Sequence, residues 1–136
     1  MAPPFETTRT IRLGHTDAAR RMFFARQFDL IHEAYEDWLE ANGLPIRTLL
    51  EDSDFGLPIV RAESDYRGSL FAGDRVCITI TVEGRTERSF TLSYVLRSGD
   101  RQVGTAKTVH VAVDRASGRS CPISGTLADI LSRQLD

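Results

Sequence analysis

Cysteine is scarce in this 136-residue sequence, and its scarcity limits the chemistry that the chain can carry. The two cysteines, Cys77 and Cys121, lie far apart, and neither belongs to a Cys-x-x-Cys pair or has a neighbouring histidine. Zinc sites and disulfide frameworks both need recurrent, closely spaced ligands. We therefore expect two reduced structural thiols, no metal site and no resident cofactor.

Long apolar runs and a strong charge of either sign are also missing. No stretch approaches the roughly 20 apolar residues that cross a bilayer. The opening segment, MAPPFETTRT, lacks the apolar centre of a secretory signal peptide. The formal net charge of −2 gives no general attraction for nucleic acid or for an anionic membrane. These absences predict a cytoplasmic protein that binds neither.

Hydrophobic periodicity predicts one long helix among several strands. Residues 5–13 alternate and are rich in Thr and Ile, which is typical of a strand. Over residues 24–41 the apolar positions recur three or four apart, which predicts an amphipathic helix that ends at Asn42-Gly43. The remaining pattern predicts a helical turn at 46–52, strands at 57–68, 75–85, 88–98 and 102–114, and a helix at 125–135.

This order of elements indicates an α+β fold, with a five-stranded antiparallel sheet wrapped around a long central helix. There is no internal repeat and no linker, so residues 1–136 are expected to form a single domain. In the last strand, His110 alternates with Val109 and Val111. Because successive side chains of a strand face opposite sides, we expect His110 on the less buried side.

Four segments of the sequence resemble one family of enzymes. They are HTDAA…FF (15–24), HEAYEDWLEANGL (32–44), DFGLPIVRAESDYRGSLFAGDRV (54–76) and AKTVHVAV (106–113). Together they resemble the hot-dog-fold acyl-CoA thioesterases of the 4-hydroxybenzoyl-CoA thioesterase type, and most of all the 1,4-dihydroxy-2-naphthoyl-CoA hydrolases. The resemblance implies a hot-dog fold, hydrolysis of an aromatic or otherwise bulky acyl-CoA thioester, and a homodimer or homotetramer.

The resemblance assigns the catalytic acid to Asp17, in the loop before the long helix. A thioester carbonyl at a helix N-terminus would meet free backbone N–H groups and the positive end of the helix dipole. We expect the backbone amides of Phe23 and Phe24 to supply these donors. Asp17 would act as nucleophile or as general base. The alternative is that Asp17 is an N-cap or a turn residue that bonds its own backbone.

The loop departs from the family pattern at two neighbouring positions. The family has Asp-x-x-Gly followed by small apolar residues, whereas here Arg20 stands at the glycine position and Arg21 follows it. Glycine is favoured where the backbone has a positive φ or a ligand approaches closely, so Arg20 would narrow the site or shift its backbone donors. The two arginines would alternatively favour the ionised carboxylate of Asp17, bind an anionic group of the ligand, or point into solvent.

The expected substrate contacts come from the helix and from one strand. The resemblance places Phe28 and His32 along the acyl pocket, where the His32 ring would hydrogen-bond a hydroxyl of an aromatic acyl group. Coenzyme A carries several phosphate charges, and Arg88 is the first candidate to bind them. His15 precedes Asp17 by two residues, and in an extended segment the two side chains would point to the same side. Such a His–Asp pair would suit acid/base catalysis; the alternative is an ordinary exposed loop histidine.

Two other functions remain open at this point. One is hydrolysis of an acyl chain held on a carrier protein, which presents the same pantetheine arm without the nucleotide. The other is a non-catalytic hot-dog protein that binds acyl thioesters, with its site blocked by Arg20.

Overall fold

The computed structural model describes residues 4–135. The strands are β1 (Phe5–Thr10), β2 (Phe55–Gly56), β3 (Ile59–Tyr66), β4 (Arg75–Arg85), β5 (Ser89–Ser98), β6 (Arg101–Val111) and β7 (Val113–Asp114). The helices are α1 (Arg26–Ala41), α2 (Ile46–Glu51) and α3 (Gly125–Leu135). Five strands form one sheet in the order β1-β4-β5-β6-β3, while β2 and β7 pair separately. Every pairing is antiparallel, so the predicted α+β class and five-stranded antiparallel sheet are confirmed.

Helix α1 packs its apolar face against one face of this sheet. Strands β4 and β5 turn alternate residues toward the helix, and these residues are buried: Val76, Ile78, Ile80, Val82, Phe90, Leu92, Tyr94 and Leu96. The helix contributes buried Leu30, Ile31, Ala34, Tyr35, Trp38 and Leu39. Burying one large apolar side chain stabilises the fold by about 1.5–3 kcal/mol, so this contact is the main source of stability. Buried Leu127, Ile130 and Leu131 add α3 to the same core.

The start of the long helix is the main difference from the predicted bounds. The apolar pattern predicts a helix from Phe24, but α1 begins at Arg26. The N–H groups of Arg26, Gln27 and Phe28 each donate to the carbonyl three residues earlier, at 2.9, 3.3 and 3.2 Å. The residues before α1 therefore form a turn of 3₁₀ type. Such a turn also places apolar residues three positions apart on one side, but its backbone is wound more tightly than that of an α-helix.

His110 lies in the core, and the expectation that it faces the less buried side of its strand is wrong. The residue is 0% exposed. Its ring lies between Tyr35 and Phe90, with centroid distances of 4.5 and 4.8 Å. Its Nε2 atom is 2.8 Å from Oγ1 of Thr108, which is 2.8 Å from the hydroxyl oxygen of Tyr94. Aromatic stacking and a hydroxyl partner allow the imidazole to be buried while the neighbouring valines face the other side.

Burial also changes how His110 binds protons. Removal from water disfavours the imidazolium form and lowers the pKa of His110 from 6.5 to about 4. The backbone of Leu57 partly opposes this shift, and the nearby His32 adds to it. His110 is therefore neutral at pH 7, with both of its aromatic neighbours in contact with an uncharged ring.

Acidification should destabilise the protein through His110. Between pH 6.5 and about 4, the unfolded chain binds a proton that the folded protein does not bind. The free energy of unfolding should therefore fall across this window by up to about 3 kcal/mol. Carboxylates add their own slope, so the readout is the difference between wild type and His110→Phe in urea unfolding at several pH values.

We expect His110→Phe to lose this part of the pH dependence. The control His32→Phe changes an exposed ring that contributes only the smallest part of the shift, so it should keep most of this pH dependence. Identical pH slopes in wild type and His110→Phe would show that the buried ring does not couple folding to protonation.

Candidate active site

The loop before α1 is a tight hairpin that is held by backbone hydrogen bonds. The N–H of Asp17 donates to the carbonyl of Arg21 at 3.0 Å, and the N–H of Arg20 donates to the carbonyl of Asp17 at 2.9 Å. The N–H of Met22 donates to the carbonyl of Leu70 at 2.8 Å, which fastens the hairpin to the connection between β3 and β4. The main chain therefore fixes the position of Asp17.

The carboxylate of Asp17 is exposed and bonds its own turn. Its Oδ1 atom accepts a hydrogen bond from the N–H of Ala19 at 2.8 Å. This is the local bonding that the turn interpretation predicts. None of the ion pairs within residues 4–135 involves Asp17. One oxygen thus orients the side chain, and the other, Oδ2, is free to contact a ligand.

Arg20 occupies a backbone conformation that is typical of glycine. Its φ angle is 66°, and it is the only non-glycine residue with a positive φ in the described part of the chain. An L-residue in this left-handed region costs roughly 1–2 kcal/mol relative to the right-handed one. The loop therefore has the positive-φ turn that a glycine would favour, even though the residue is arginine.

Arg21 points away from Asp17, toward the connection between β3 and β4. Its Nη1 atom lies 3.3 Å from Oγ of Ser69, and its guanidinium carbon lies 5.9 Å from the ring centre of Phe71. His15 also supports the loop, since its Nδ1 atom accepts the N–H of Arg12 at 2.9 Å. Neither side chain forms a hydrogen bond with the catalytic candidate in this structure.

Two backbone amides are open at the start of α1, but they are not the pair that was expected. The N–H of Phe23 donates to the carbonyl of His15 at 2.9 Å, so in this conformation Phe23 cannot serve as a donor to substrate. Within residues 4–135, the N–H groups of Phe24 and Ala25 have no protein acceptor. The Tyr66 hydroxyl holds the turn by donating to the carbonyl of Phe24 at 2.7 Å. The open pair is therefore one residue further along the chain than the predicted pair. The reason is that α1 begins at Arg26, after the first residue of its apolar pattern.

A cavity of about 270 Å³ lies between α1 and the edge of the sheet. Its walls are Phe28, Asp29, Ile31 and His32 from α1, Ile59 and Ala62 from β3, Tyr94 from β5 and Thr108 from β6. The two predicted pocket residues, Phe28 and His32, therefore lie on one wall. Tyr94 and Thr108 were not predicted, because alternation in a strand indicates burial but not which cavity a residue lines.

One chain does not bring Asp17 into this cavity. Helix α1 runs antiparallel to β3, so that Phe24 meets Tyr66 at one end and His32 lies near Ile59 at the other. The Asp17 loop lies at the end of β3 where Phe24 meets Tyr66, whereas the cavity lies at the other end of β3, near Ile59. The length of β3 separates the two parts of the predicted site.

Arg88 lies on the turn between β4 and β5, and it does not line the cavity. Its Nη1 atom donates to the carbonyl of Ser120 at 2.7 Å. The side chain is exposed and ties the turn to the loop after β7. Within residues 4–135, no group of three or more His, Cys, Asp or Glu side chains is arranged to hold a metal ion. None of the described helices is long and apolar enough to cross a membrane.

Arg20→Gly should stabilise the protein, because it removes the left-handed strain and keeps the turn. Greater freedom of the unfolded glycine offsets part of the gain, so we expect the free energy of unfolding to rise by about 0.5–1 kcal/mol. The matched control, Arg21→Gly, removes the contacts with Ser69 and Phe71 and should lower it. Urea denaturation measures both, and a destabilised Arg20→Gly would contradict the strain argument.

Comparison with known proteins places the chain in a family. A family model described as the thioesterase-like superfamily matches residues 11–131. The chain is 38% identical over 123 residues to a 1,4-dihydroxy-2-naphthoyl-CoA hydrolase of Rippkaea orientalis (strain PCC 8801 / RF-1), a match that covers 88% of this chain and 89% of that protein.

Solved structures agree on the fold. A 1,4-dihydroxy-2-naphthoyl-CoA thioesterase from Synechocystis superposes with a TM-score of 0.90 at 24% identity, covering 98% of this chain and 99% of that one. A gentisyl-coenzyme A thioesterase superposes with a TM-score of 0.85 at 24% identity, covering 93% and 99%. The predicted hot-dog fold is confirmed, and the chain belongs to the thioesterase-like superfamily.

Proposed function

We propose that this protein hydrolyses the thioester of an aromatic or otherwise bulky acyl-CoA. Several similar proteins are hydrolases of CoA thioesters of aromatic acids, which supports this substrate class. The proposal rests on one observation about the loop before α1. A hydrogen-bonded turn orients Asp17 with one carboxylate oxygen free, and the same loop leads into two open amides, those of Phe24 and Ala25. A carboxylate and a pair of oriented donors are the parts that thioester cleavage needs.

The two amides act on the oxygen that gains charge. When the carbonyl carbon becomes tetrahedral, the N–H groups of Phe24 and Ala25 donate to the oxyanion, and the helix dipole adds to their effect. Because they bind the developing anion more strongly than the neutral carbonyl, they lower the barrier. Removing one such donor typically lowers kcat by about 10²–10³-fold.

Asp17 supplies the attack in one of two ways. As a nucleophile, its carboxylate forms a bond to the carbonyl carbon, the carbon–sulfur bond breaks, and the CoA thiolate leaves. Water then cleaves the resulting anhydride and regenerates the carboxylate. As a general base, Asp17 takes a proton from a water that attacks the same carbon, the carbon–sulfur bond breaks, and the proton passes to the leaving thiolate or to solvent. In both cases the products are the free acid and coenzyme A.

We also propose that two copies of the chain pair through β3. This strand is at the edge of the sheet and bonds only β6 within the chain. Every residue of β3 except Ser64 is exposed, and the exposed set includes the apolar side chains of Ile59, Val60 and Tyr66. An uncovered, partly apolar edge strand is a template for pairing with a second strand. A two-fold axis would join two such edges into one continuous sheet.

Antiparallel pairing of two β3 strands would complete the site. In a pairing centred on the strand, Ile59 of one copy lies opposite Tyr66 of the other. The Asp17 loop of the first copy, which belongs to the Tyr66 end, then lies beside the cavity of the second copy, which belongs to the Ile59 end. Each of two equivalent sites would combine an acid and amides from one copy with an acyl cavity from the other.

Asp17→Asn should lower kcat for acyl-CoA hydrolysis by at least about a hundredfold, since it removes the nucleophile or base. Asparagine retains an oxygen that can accept the N–H of Ala19, so the turn and the far-ultraviolet circular dichroism spectrum should not change. Thiol release from benzoyl-CoA measures the rate. Asp52→Asn, an exposed acid after α2, is the matched control and should behave as wild type. Retention of activity in Asp17→Asn would reject the role of Asp17.

Val60→Asp should weaken the dimer at least about tenfold, because in this pairing position 60 lies opposite Asp65 of the other copy, and the new carboxylate would be placed beside a like charge. Val60→Thr keeps the side-chain shape and should remain dimeric. Sedimentation velocity over a range of concentrations separates the two variants. A wild type that sediments as a monomer at high concentration would exclude pairing through β3.

A further inference from the structure

The two open amides belong to peptide groups whose carbonyls are both hydrogen-bonded. The N–H of Phe24 shares its peptide group with the carbonyl of Phe23, which accepts the N–H of Arg26 at 2.9 Å. The N–H of Ala25 shares its peptide group with the carbonyl of Phe24, which accepts the Tyr66 hydroxyl at 2.7 Å. Because a trans peptide is planar, with its N–H and C=O pointing in opposite directions, a bond to the carbonyl also fixes the direction of the N–H.

Tyr66 is the main partner of the second of these peptide groups. The N–H of Gln27 also reaches the carbonyl of Phe24, but at 3.3 Å, which is beyond the usual range for an N–H donor. The bond from the Tyr66 hydroxyl, at 2.7 Å, has the usual length. Within residues 4–135, no other side chain bonds the carbonyl of either peptide group. The Ala25 N–H is therefore oriented by a side chain, whereas the Phe24 N–H is oriented by the backbone.

The end of β3 contacts the first turn of α1 through three consecutive residues. The ring of Tyr66 meets the ring of Phe24 edge-on, with centroids 6.5 Å apart. The carbonyl of Asp65 and the hydroxyl of Ser64 accept hydrogen bonds from Nε2 of the buried Gln27, at 3.2 and 2.7 Å. Of these three residues, Tyr66 is the one that bonds the peptide group of an open amide.

We propose that Tyr66 is a positioning residue, and that its hydroxyl sets both the direction and the donor strength of the Ala25 N–H. The inference rests on the proposed function, in which this N–H binds the oxyanion. A hydrogen bond to a peptide carbonyl draws electron density toward the oxygen, and the N–H of the same group becomes a stronger donor. Tyr66 acts through the peptide group between Phe24 and Ala25 and does not need to touch the substrate.

Tyr66→Phe removes the hydroxyl and keeps the ring. The Ala25 N–H is retained but is less well oriented, so kcat for benzoyl-CoA should fall roughly tenfold, which is less than the loss of a whole oxyanion donor. KM should stay close to that of wild type, because the amides bind the transition state more strongly than the ground state. A damaged cavity would instead raise KM.

Nuclear magnetic resonance of isotope-labelled protein examines the same amide without turnover. An amide nitrogen is deshielded when the carbonyl of its own peptide group accepts a hydrogen bond. The Ala25 nitrogen resonance should therefore move upfield in Tyr66→Phe. The Phe24 nitrogen resonance should move less, because the carbonyl of its peptide group keeps its bond from Arg26.

Tyr35→Phe is the matched control. It removes a hydroxyl from α1 itself, about 15 Å along the helix from Ala25, and should change neither kcat nor the Ala25 resonance. Because Tyr66 is part of β3, sedimentation velocity is used to check that Tyr66→Phe remains dimeric at the assay concentration. If it sediments as a monomer, Val60→Asp replaces wild type as the reference for the Ala25 resonance and for kcat.

Three results would overturn the inference: wild-type kcat in Tyr66→Phe, a loss that lies in KM alone, or an Ala25 resonance that does not move. The first two leave the proposed hydrolysis standing, since wild type still releases thiol. A wild type that releases no thiol, with an Ala25 resonance that moves in Tyr66→Phe, rejects the hydrolysis and supports the orientation of this amide by Tyr66.

Discussion

The contact between α1 and the inner face of the sheet determines where every part of the candidate site lies. Its apolar part is ordinary core packing, but its first turn is fixed by a polar anchor. Gln27 is buried, and its Nε2 atom is 2.7 Å from Oγ of Ser64 and 3.2 Å from the carbonyl of Asp65. The strand beneath it has glycine at position 104, where a Cβ would lie 2.6 Å from Oε1 of Gln27. A side chain at position 104 would displace the Gln27 amide and so weaken this anchor between the first turn of the helix and the sheet.

This arrangement places the buried cavity and the exposed acidic residue in separate parts of one small chain. The helix and sheet supply a cavity whose inner wall is buried, while the acid is on an exposed hairpin at the other end of β3. Groups that react with substrate are commonly carried by loops on a rigid scaffold. Here the hairpin is held by its backbone hydrogen bonds and contains the left-handed residue Arg20. The exposed edge of β3 is the surface through which we propose that two such halves come together.

Much of the fold could be predicted from the sequence because it follows from local patterns. The strand β4 was predicted with its observed bounds, since polar and apolar residues alternate over its whole length. The resemblance also identified position 20 as a place for glycine, and the structure shows a positive φ there. Local pattern and backbone conformation agree at these positions, because neither depends on distant parts of the chain.

The features that sequence could not provide all depend on contacts between distant residues. His110 is flanked by two valines, which suggested the wrong buried face until its aromatic neighbours from α1 and β5 were placed. The sequence predicts an open amide at Phe23, but this N–H donates a hydrogen bond to the carbonyl of His15 across the hairpin. The hydroxyl chain from Tyr94 to Thr108 joins two strands whose register no single-strand pattern reveals.

Subunit complementation tests the central claim, that each site combines the acid of one copy with the cavity of another. One variant, Asp17→Asn, lacks the acid, and a second, His32→Trp, fills the cavity with a larger side chain. Each alone should be inactive as a homodimer. After subunit exchange, heterodimers contain one site with both parts intact, so an equal mixture should recover about a quarter of the wild-type rate. A mixture that exchanges subunits and stays as inactive as its two components would contradict a shared site.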